Sequence, residues 1–328
     1  MKYFLAFVVI TFFYSNDVGT QTYKNTNDQQ NGKTFGQLMS WVLDGEKGPK
    51  KVEIETSTEW QELIPDQTNY AVWIGHATYL INNGDVTILT DPIFSKRASP
   101  IGFAGPKRMI PPAMTLNDLP KVDVVVVSHN HYDHLDIWSL KKLYKLNPET
   151  IFLVPAGDRL KLIKAGIKNV YEMQWWDAFN FSNTTFHFTP VQHWSKRGLF
   201  DRNKSLWGGW FIQSNDLALY HAGDTGYSSD FKTTYERLGA PDYSFIPIGA
   251  YDPRWFMKDS HVNPEEAVQI ALDLQTPHSF GMHWGTFTLT DEPVLEPPER
   301  LKAALQEQNL ASDFFISPKP GQILQLTK

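Results

Sequence analysis

Val124-Val-Val-Val-Ser-His-Asn-His-Tyr-Asp-His-Leu135 joins four β-branched apolar residues to four residues of metal-ligating type. The valine run reads as a buried strand, and the abrupt change to His129, His131, Asp133 and His134 places these side chains on the loop that leaves it. His129 and His131 alternate, so an extended chain sends both to one side, while Asp133 and His134 can turn toward a second point. One loop can thus serve two cations. A solvated polar loop after a buried strand is the plain alternative, but an H-x-H-x-D-H string is rare in a chain with 10 histidines among 328 residues.

Composition bounds the chemistry further. There is no cysteine, which excludes thiolate zinc sites, disulfides and a cysteine nucleophile and leaves imidazole and carboxylate as metal ligands. With 41% hydrophobic and 20% charged residues the chain has the make-up of a soluble globular protein. Its net charge of −6 argues against a broad nucleic-acid footprint, so no nucleic-acid partner is expected, although one phosphate could still be held locally.

The N-terminus departs from that pattern. Lys2 precedes an apolar run over 3–14, too short to span a bilayer as a helix, and Ser15-Asn16-Asp17 closes it. A charged start and an apolar middle fit a secretory signal peptide, so residues 1–20 are expected to be a leader and the protein to be exported, periplasmic or membrane-associated. An uncleaved leader at the cytoplasmic face of a membrane is the alternative. Residues 21–33, rich in Asn, Gln, Thr and Lys, read as a flexible linker. The remainder, 34–328, is expected to form one domain.

Along that domain, Phe35, Leu38, Met39, Trp41 and Val42 recur at helical spacing over 34–43. Strands follow at 70–74, 79–81 and 86–90, with Asn83-Gly84 as a hairpin turn between the last two. Residues 92–112, rich in Pro, Gly and basic residues, read as a long ordered loop. A strand at 122–128, a helix at 137–146, a strand at 151–154 and a helix at 158–165 make a βαβα segment. A second β-rich half includes 185–191, 206–213, 217–222 and 243–248, and Asn263-Pro264-Glu265-Glu266 reads as a capping box opening a helix to about 274. A strand at 279–282, a helix at 299–308 and strands near Phe314 and Ile323 close the chain. The order β-rich, helical, β-rich, helical suggests two similar halves, and two sheets packed face to face with helices outside: an α/β, αββα four-layer sandwich.

Three later residues have the chemistry to complete a dinuclear site. His193, Asp224 and His283 each follow an apolar run, and Asp224 sits in a Gly-flanked turn where a carboxylate can approach two cations. His129, His131 and His193 are expected to hold one metal and Asp133, His134 and His283 the other, with Asp224 between them. Two zinc ions suit such ligands; iron or manganese are the other candidates. His76 and Asp91 end short strands and could orient ligands. His187 and His278 have no claim on the site; His221 precedes the Asp224 turn closely enough to support a ligand, but reads first as a strand-face residue.

These residues resemble the metallo-β-lactamase superfamily, whose H-x-H-x-D-H loop and later His, Asp and His they match. Further segments are similar to the N-acylphosphatidylethanolamine-hydrolysing phospholipase D family. They are Trp73-Ile-Gly-His-Ala-Thr78, Leu89-Thr-Asp-Pro-Ile-Phe-Ser-Lys-Arg-Ala-Ser-Pro100, Gly105-Pro-Lys-Arg108, 128–136, Gln192-His-Trp-Ser-Lys-Arg197, Leu206-Trp-Gly-Gly-Trp210, Ala222-Gly-Asp-Thr-Gly-Tyr227, 246–258, 261–268 and His283-Trp-Gly-Thr-Phe287. The likeness runs from about Tyr70 to the C-terminus and leaves 1–32 unmatched. It implies a metallo-β-lactamase-like sandwich with two zinc ions, a phosphodiesterase acting on N-acylphosphatidylethanolamine, a phospholipid substrate at a membrane surface, and allows a homodimer.

Within that chemistry Asp133 and Asp224 are the expected catalytic carboxylates. His261 would contact substrate or assist proton transfer, and Lys196 or Arg197, together with Arg254, would hold the phosphate. The cluster of Trp207, Trp210 and Phe211, the stretch Trp255-Phe256-Met257, and the loop carrying Ile101, Phe103, Met109 and Ile110 are candidates for acyl-chain contacts or a membrane-facing rim. A lactone or other ester hydrolase would use the same ligands. A di-iron redox site would be expected to carry Glu in place of His131, and a metal-stabilised binding module is the non-enzyme reading.

Overall fold

The computed structural model describes residues 22–28, 36–37, 40–41, 52–62 and 68–327. The expected leader and the larger part of the helix at 34–43 lie outside them. Two seven-stranded sheets face each other. In the first, β1 (Tyr70–Gly75), β2 (Thr78–Asn82) and β3 (Thr87–Thr90) are antiparallel neighbours, and β4 (Val124–Val126), β5 (Ile151–Pro155) and β6 (Val170–Met173) continue in parallel. The last strand of the chain, β14 (Ile323–Gln325), returns to pair antiparallel with β1.

The second sheet begins with the antiparallel strands β7 (Ala178–Phe181), β8 (Thr184–Thr189), β9 (Gly209–Gln213) and β10 (Ala218–His221). It turns parallel through β11 (Tyr243–Pro247), β12 (His278–Met282) and β13 (Phe315–Ile316). The parallel pairs need crossovers; a long loop connects β3 to β4, and helices supply others: α1 (Ile137–Leu146) between β4 and β5, α2 (Arg159–Lys164) between β5 and β6, and α3 (Asp230–Leu238) between β10 and β11. The short α4 (Arg254–Met257) and then α5 (Pro264–Asp273) lead into β12, and α6 (Glu296–Glu307) precedes β13. The αββα sandwich expected from the pattern is the architecture found.

Alternation along β4 explains the valine run. Val124 and Val126 face the core between the sheets, with Trp73, Phe188 and Trp210, whereas Val125 and Val127 join Leu140, Leu143 and Leu162 beneath the outer helices. A strand covered on both faces has no use for polar residues. Two hydrogen bonds also cross the sandwich: Tyr79 Oη donates to Gly281 O (2.8 Å), and Trp210 Nε1 donates to Val127 O (3.0 Å). The second sits at the point where β4 gives way to the ligand loop.

The expected boundaries need three corrections. The strand at 122–128 is regular only over Val124–Val126, because the chain leaves the ladder early to form the ligand loop. The polar helix α3 had no apolar stripe to reveal it: its buried face comprises Asp230, Phe231 and Thr234, and it stops at Gly239, whose φ of 85° suits the end of a helix. Residues 22–28 fall within the expected linker yet are packed against the domain, with Asn25 buried and Tyr23 N–H bonded to Asn203 O (2.8 Å). The capping box of α5 is present as expected, Asn263 Oδ1 accepting from Glu266 N–H and Glu266 from Asn263 N–H.

Candidate metal centre

Every expected ligand lies at one end of the sandwich. The loop after β4 brings His129, His131, Asp133 and His134; the segment after β8 brings His193; the turn after β10 brings Asp224; and His283 follows β12 directly. The Asp224 turn lies hard against the ligand loop because Gly223 permits it: its φ is +62°, and a Cβ there would meet Ser128 Cβ at 2.5 Å. His76, in the turn between β1 and β2, and Asp91, beyond β3, complete the cluster.

Two pockets share Asp224. In one, His131 Nδ1 lies 2.8 Å from His129 Nε2 and 3.2 Å from His193 Nε2. Tetrahedral zinc bonded to nitrogen at about 2.0–2.1 Å would space its ligand atoms about 3.3 Å apart, so this trio is close to that arrangement. In the other, Asp133 Oδ2 lies 3.6 Å from His134 Nε2 and 3.5 Å from His283 Nε2. Asp224 reaches both: Oδ1 is 3.1 Å from His283 Nε2, while Oδ2 is 3.2 Å from His134 Nε2, 3.8 Å from His129 Nε2 and 3.9 Å from His193 Nε2.

Orphaned atoms test whether the residues fit cations. His134 Nε2, His283 Nε2, Asp224 Oδ1 and His261 Nδ1 are buried without a hydrogen-bond partner. Buried polar atoms that crowd together without bonding each other are costly; they are what a ligand shell looks like, and the residues fit a pair of divalent cations. The acid–base state agrees for most of them. Burial holds His129 and His193 well below the usual imidazole range and His131 at about 4, leaving their lone pairs available at neutral pH. Burial works against ionising Asp133 and Asp224, but His134 beside both keeps each well below the usual carboxylate range. His134 and His283 are the exceptions: Asp224 outweighs burial and raises them, His283 to about 9.

A second layer fixes the ligands. Asp91, fully buried, accepts at Oδ2 from His134 Nδ1 (2.8 Å), His221 Nε2 (3.1 Å) and Ser128 Oγ (2.6 Å), and at Oδ1 from Ser128 N–H (2.7 Å). His134 therefore presents Nε2 inward. His76 Nε2 lies 2.9 Å from Asp133 Oδ2, and His193 Nδ1 2.9 Å from Ser260 O, each setting a ligand's orientation. His221, expected as a strand-face residue, belongs to this layer. Ser128 had no signal beyond adjacency, since its role depends on a carboxylate 37 positions away.

Of the expected substrate contacts, the structure commits two to other partners. Arg197 Nη1 donates to Asn130 O (2.9 Å), His131 O (3.4 Å) and Leu135 O (2.7 Å), and its guanidinium stacks on Tyr132, so this cation braces the ligand loop from behind. Arg254 Nη2 donates to both carboxylate oxygens of Glu266 and its Nη1 donates to His261 O (2.7 Å), which helps hold His261 in place. Lys196 is half-buried. His261 does face the site, its Nδ1 3.9 Å from Asp224 Oδ2, and burial lowers it to about 4. Trp194, a residue the sequence reading passed over, lies edge-on to His131 at 4.3 Å, with Arg202 over its ring at 4.2 Å. Trp207, Trp210 and Phe211, offered as acyl contacts, are fully buried core residues.

Comparison with known proteins agrees with this geometry. Residues 86–284 match the family described as the beta-lactamase superfamily domain. The chain belongs to the metallo-β-lactamase superfamily. Within it, the chain is 41% identical over 266 residues to N-acyl-phosphatidylethanolamine-hydrolyzing phospholipase D 1 of Caenorhabditis elegans, covering 77% of this chain and 75% of that one. It is 39% identical over 261 residues to the mitochondrial N-acyl-phosphatidylethanolamine-hydrolyzing phospholipase D of Saccharomyces cerevisiae, covering 77% of this chain and 55% of the yeast protein. Among solved structures, an isothiocyanate hydrolase from Delia radicum gut bacteria superposes with a TM-score of 0.62 at 19% identity, covering 78% and 98% of the two chains; it shares the fold. The protein is a metal-dependent hydrolase of this superfamily.

Proposed function

We propose that this metallo-β-lactamase superfamily protein is a zinc-dependent phosphodiesterase of the phospholipase D type, cleaving N-acylphosphatidylethanolamine to N-acylethanolamine and phosphatidic acid. The observation that carries the reading is the pair of ligand pockets sharing Asp224, in a chain 41% identical to a protein named for that activity. Two divalent cations held there would supply an acidic water as nucleophile and positive charge for the phosphoryl oxygens. The protein's own part is positional. Asp91, His76 and the Ser260 carbonyl hold His134, Asp133 and His193 in their rotamers, so little reorganisation accompanies reaction. His261 stays neutral at working pH and offers Nδ1 toward Asp224, where it can hold a proton or a substrate oxygen.

A lipid substrate needs an apolar approach, and the loops flanking the ligand loop provide one. Phe103 is 83% exposed and Ile101 44% in the 92–112 loop; Leu199 and Phe200 are 82% and 87% exposed in the neighbouring loop. Both loops are tied at their bases to the ligand-loop segment, Ser95 N–H to Asp136 and Arg197 Nη1 to Leu135 O. Lys96, Arg97, Lys107 and Arg202 accompany them, a composition suited to an anionic lipid surface. No helix of the described residues is long and apolar enough to cross a membrane. The deciding experiment is mass spectrometry of products after metal-loaded protein meets N-acylphosphatidylethanolamine in mixed vesicles. Phosphatidic acid with N-acylethanolamine is the expected pair; lactone hydrolysis without lipid turnover would overturn the reading.

A further inference from the structure

Residues 22–28 precede the span that matches the family, 86–284, yet they touch the metal centre's scaffold. Asn25 is 5% exposed, and its Oδ1 accepts from the backbone N–H of His193 (3.1 Å) and from Trp207 Nε1 (3.0 Å). On either side the segment is tied down. Thr26 Oγ1 donates to Asp230 Oδ1 (2.6 Å), Asn27 Nδ2 donates to Gln192 Oε1 (2.7 Å), and Tyr23 N–H bonds to Asn203 O. Gln192 precedes His193 and donates Nε2 to Asp259 O, and Asn203 exchanges two bonds with Ser195, two residues beyond it. No comparable contact from this segment reaches His134 or His283 among the described residues.

We infer that Asn25 is a positioning residue for one of the two metal pockets: the N-terminal strap completes the pocket of His129, His131 and His193 by fixing the backbone of His193, and leaves the Asp133, His134 and His283 pocket untouched. The ring of His193 is held at Nδ1 by Ser260 O, and its backbone N–H is held by Asn25 Oδ1. Without that acceptor, the backbone N–H of His193 loses the bond to Asn25 that ties it to the strap, and this stretch of chain is less firmly held. A shift of a few tenths of an ångström is enough to weaken a ligand shell, whereas the adjoining pocket keeps its own supports at Asp91 and His76.

The test is the affinity of each metal equivalent in the full chain, measured by competition between zinc and a chromogenic chelator. Asn25→Leu removes the acceptor at similar volume and is expected to weaken one equivalent by about 10–100-fold, the range seen for outer-layer partners of metal ligands, leaving the other within about threefold. Asn25→Asp keeps the acceptor and restores most of the lost affinity. Should the leucine variant not fold, Thr26→Val loosens the strap at its Asp230 tie and must weaken the same equivalent, by less. Both equivalents unchanged, or both weakened together with a lower melting temperature of the metal-free protein, would overturn the inference by showing at most a general role in folding. Since the readout is metal and not lipid, absence of lipid turnover in the parent protein would sink the proposed substrate and leave this inference standing.

Discussion

His134 turns its Nδ1 to Asp91 Oδ2 at 2.8 Å, and this one contact decides which of its nitrogens faces the second pocket. Asp91 takes four hydrogen bonds with no exposed surface, so its replacement strands several buried donors at once. Asp91→Ala is expected to cost several kilocalories, at about 1–3 kcal/mol for each buried group left unsatisfied. Asp91→Asn keeps the shape but turns one acceptor into a donor facing donors, and should lower metal affinity by about 10–100-fold. Chelator competition checks the second and denaturant unfolding the first. Native affinity in the asparagine variant would mean that His134 is oriented by some other group.

Asp224 is the residue both pockets need, with Oδ1 toward His283 and Oδ2 toward His134, His129 and His193. Asp224→Ala should therefore reduce bound metal below two equivalents and lower kcat/KM by more than the roughly 100-fold typical of outer-layer changes. A variant that kept two equivalents and full turnover would sink the shared-carboxylate geometry.

Much of this was legible in the sequence, for a physical reason. Ligands that come from one loop, or that sit directly after an apolar strand, announce themselves by local contrast, as His129 to His134 and Asp224 do. The sandwich was legible for the same reason, because strands buried on both faces and amphipathic crossover helices leave periodic marks. What escaped was whatever depends on distant partners. Nothing local distinguishes Arg197, bonded to carbonyls 62–67 positions away, from a solvent-facing phosphate ligand, and nothing near Asn25 announces a bond to His193 across 168 positions. Helix α3 was hidden because its buried face includes Asp230 and Thr234.

Arg197 supplies a prediction that separates the two roles. Its fork satisfies the carbonyls of Asn130, His131 and Leu135 while lying 4.0 Å above Tyr132, an arrangement that the single ammonium of lysine cannot reproduce. Arg197→Lys should weaken metal binding by about tenfold or more through the loosened ligand loop, with KM for lipid unchanged at saturating metal. A raised KM with native metal affinity would return Arg197 to the substrate.

In the metal-free protein the charge balance of the cluster makes stability depend on pH. Asp224 outweighs burial and raises His283 to about 9, against about 6.5 in an unfolded chain. A group raised in the folded state contributes stability that is fully present below pH 6.5 and is lost as pH climbs through 9. Metal-free protein should thus melt at lower temperature at pH 9.5 than at pH 6.5. A cation needs the imidazole nitrogen deprotonated, so zinc uptake at pH 7.5 should release protons, read by calorimetry in buffers of different ionisation enthalpy. Uptake with no net proton release would contradict the protonated state of His283.

The exposed tips give the most direct test of the approach to a membrane. Phe103 and Phe200 are 83% and 87% exposed, so serine at both should leave the melting temperature nearly unchanged. If they enter the lipid interface, each loses part of the roughly 1.5–3 kcal/mol available to a fully buried phenylalanine, and the double variant should bind anionic vesicles at least about tenfold more weakly in sedimentation. Turnover of a short-chain, water-soluble phosphodiester should stay within about twofold, because neither side chain is part of the cluster around Asp224. Unchanged vesicle binding would mean that these tips do not face a membrane, and equal losses on both substrates would show that the loops support the site and not the approach to it.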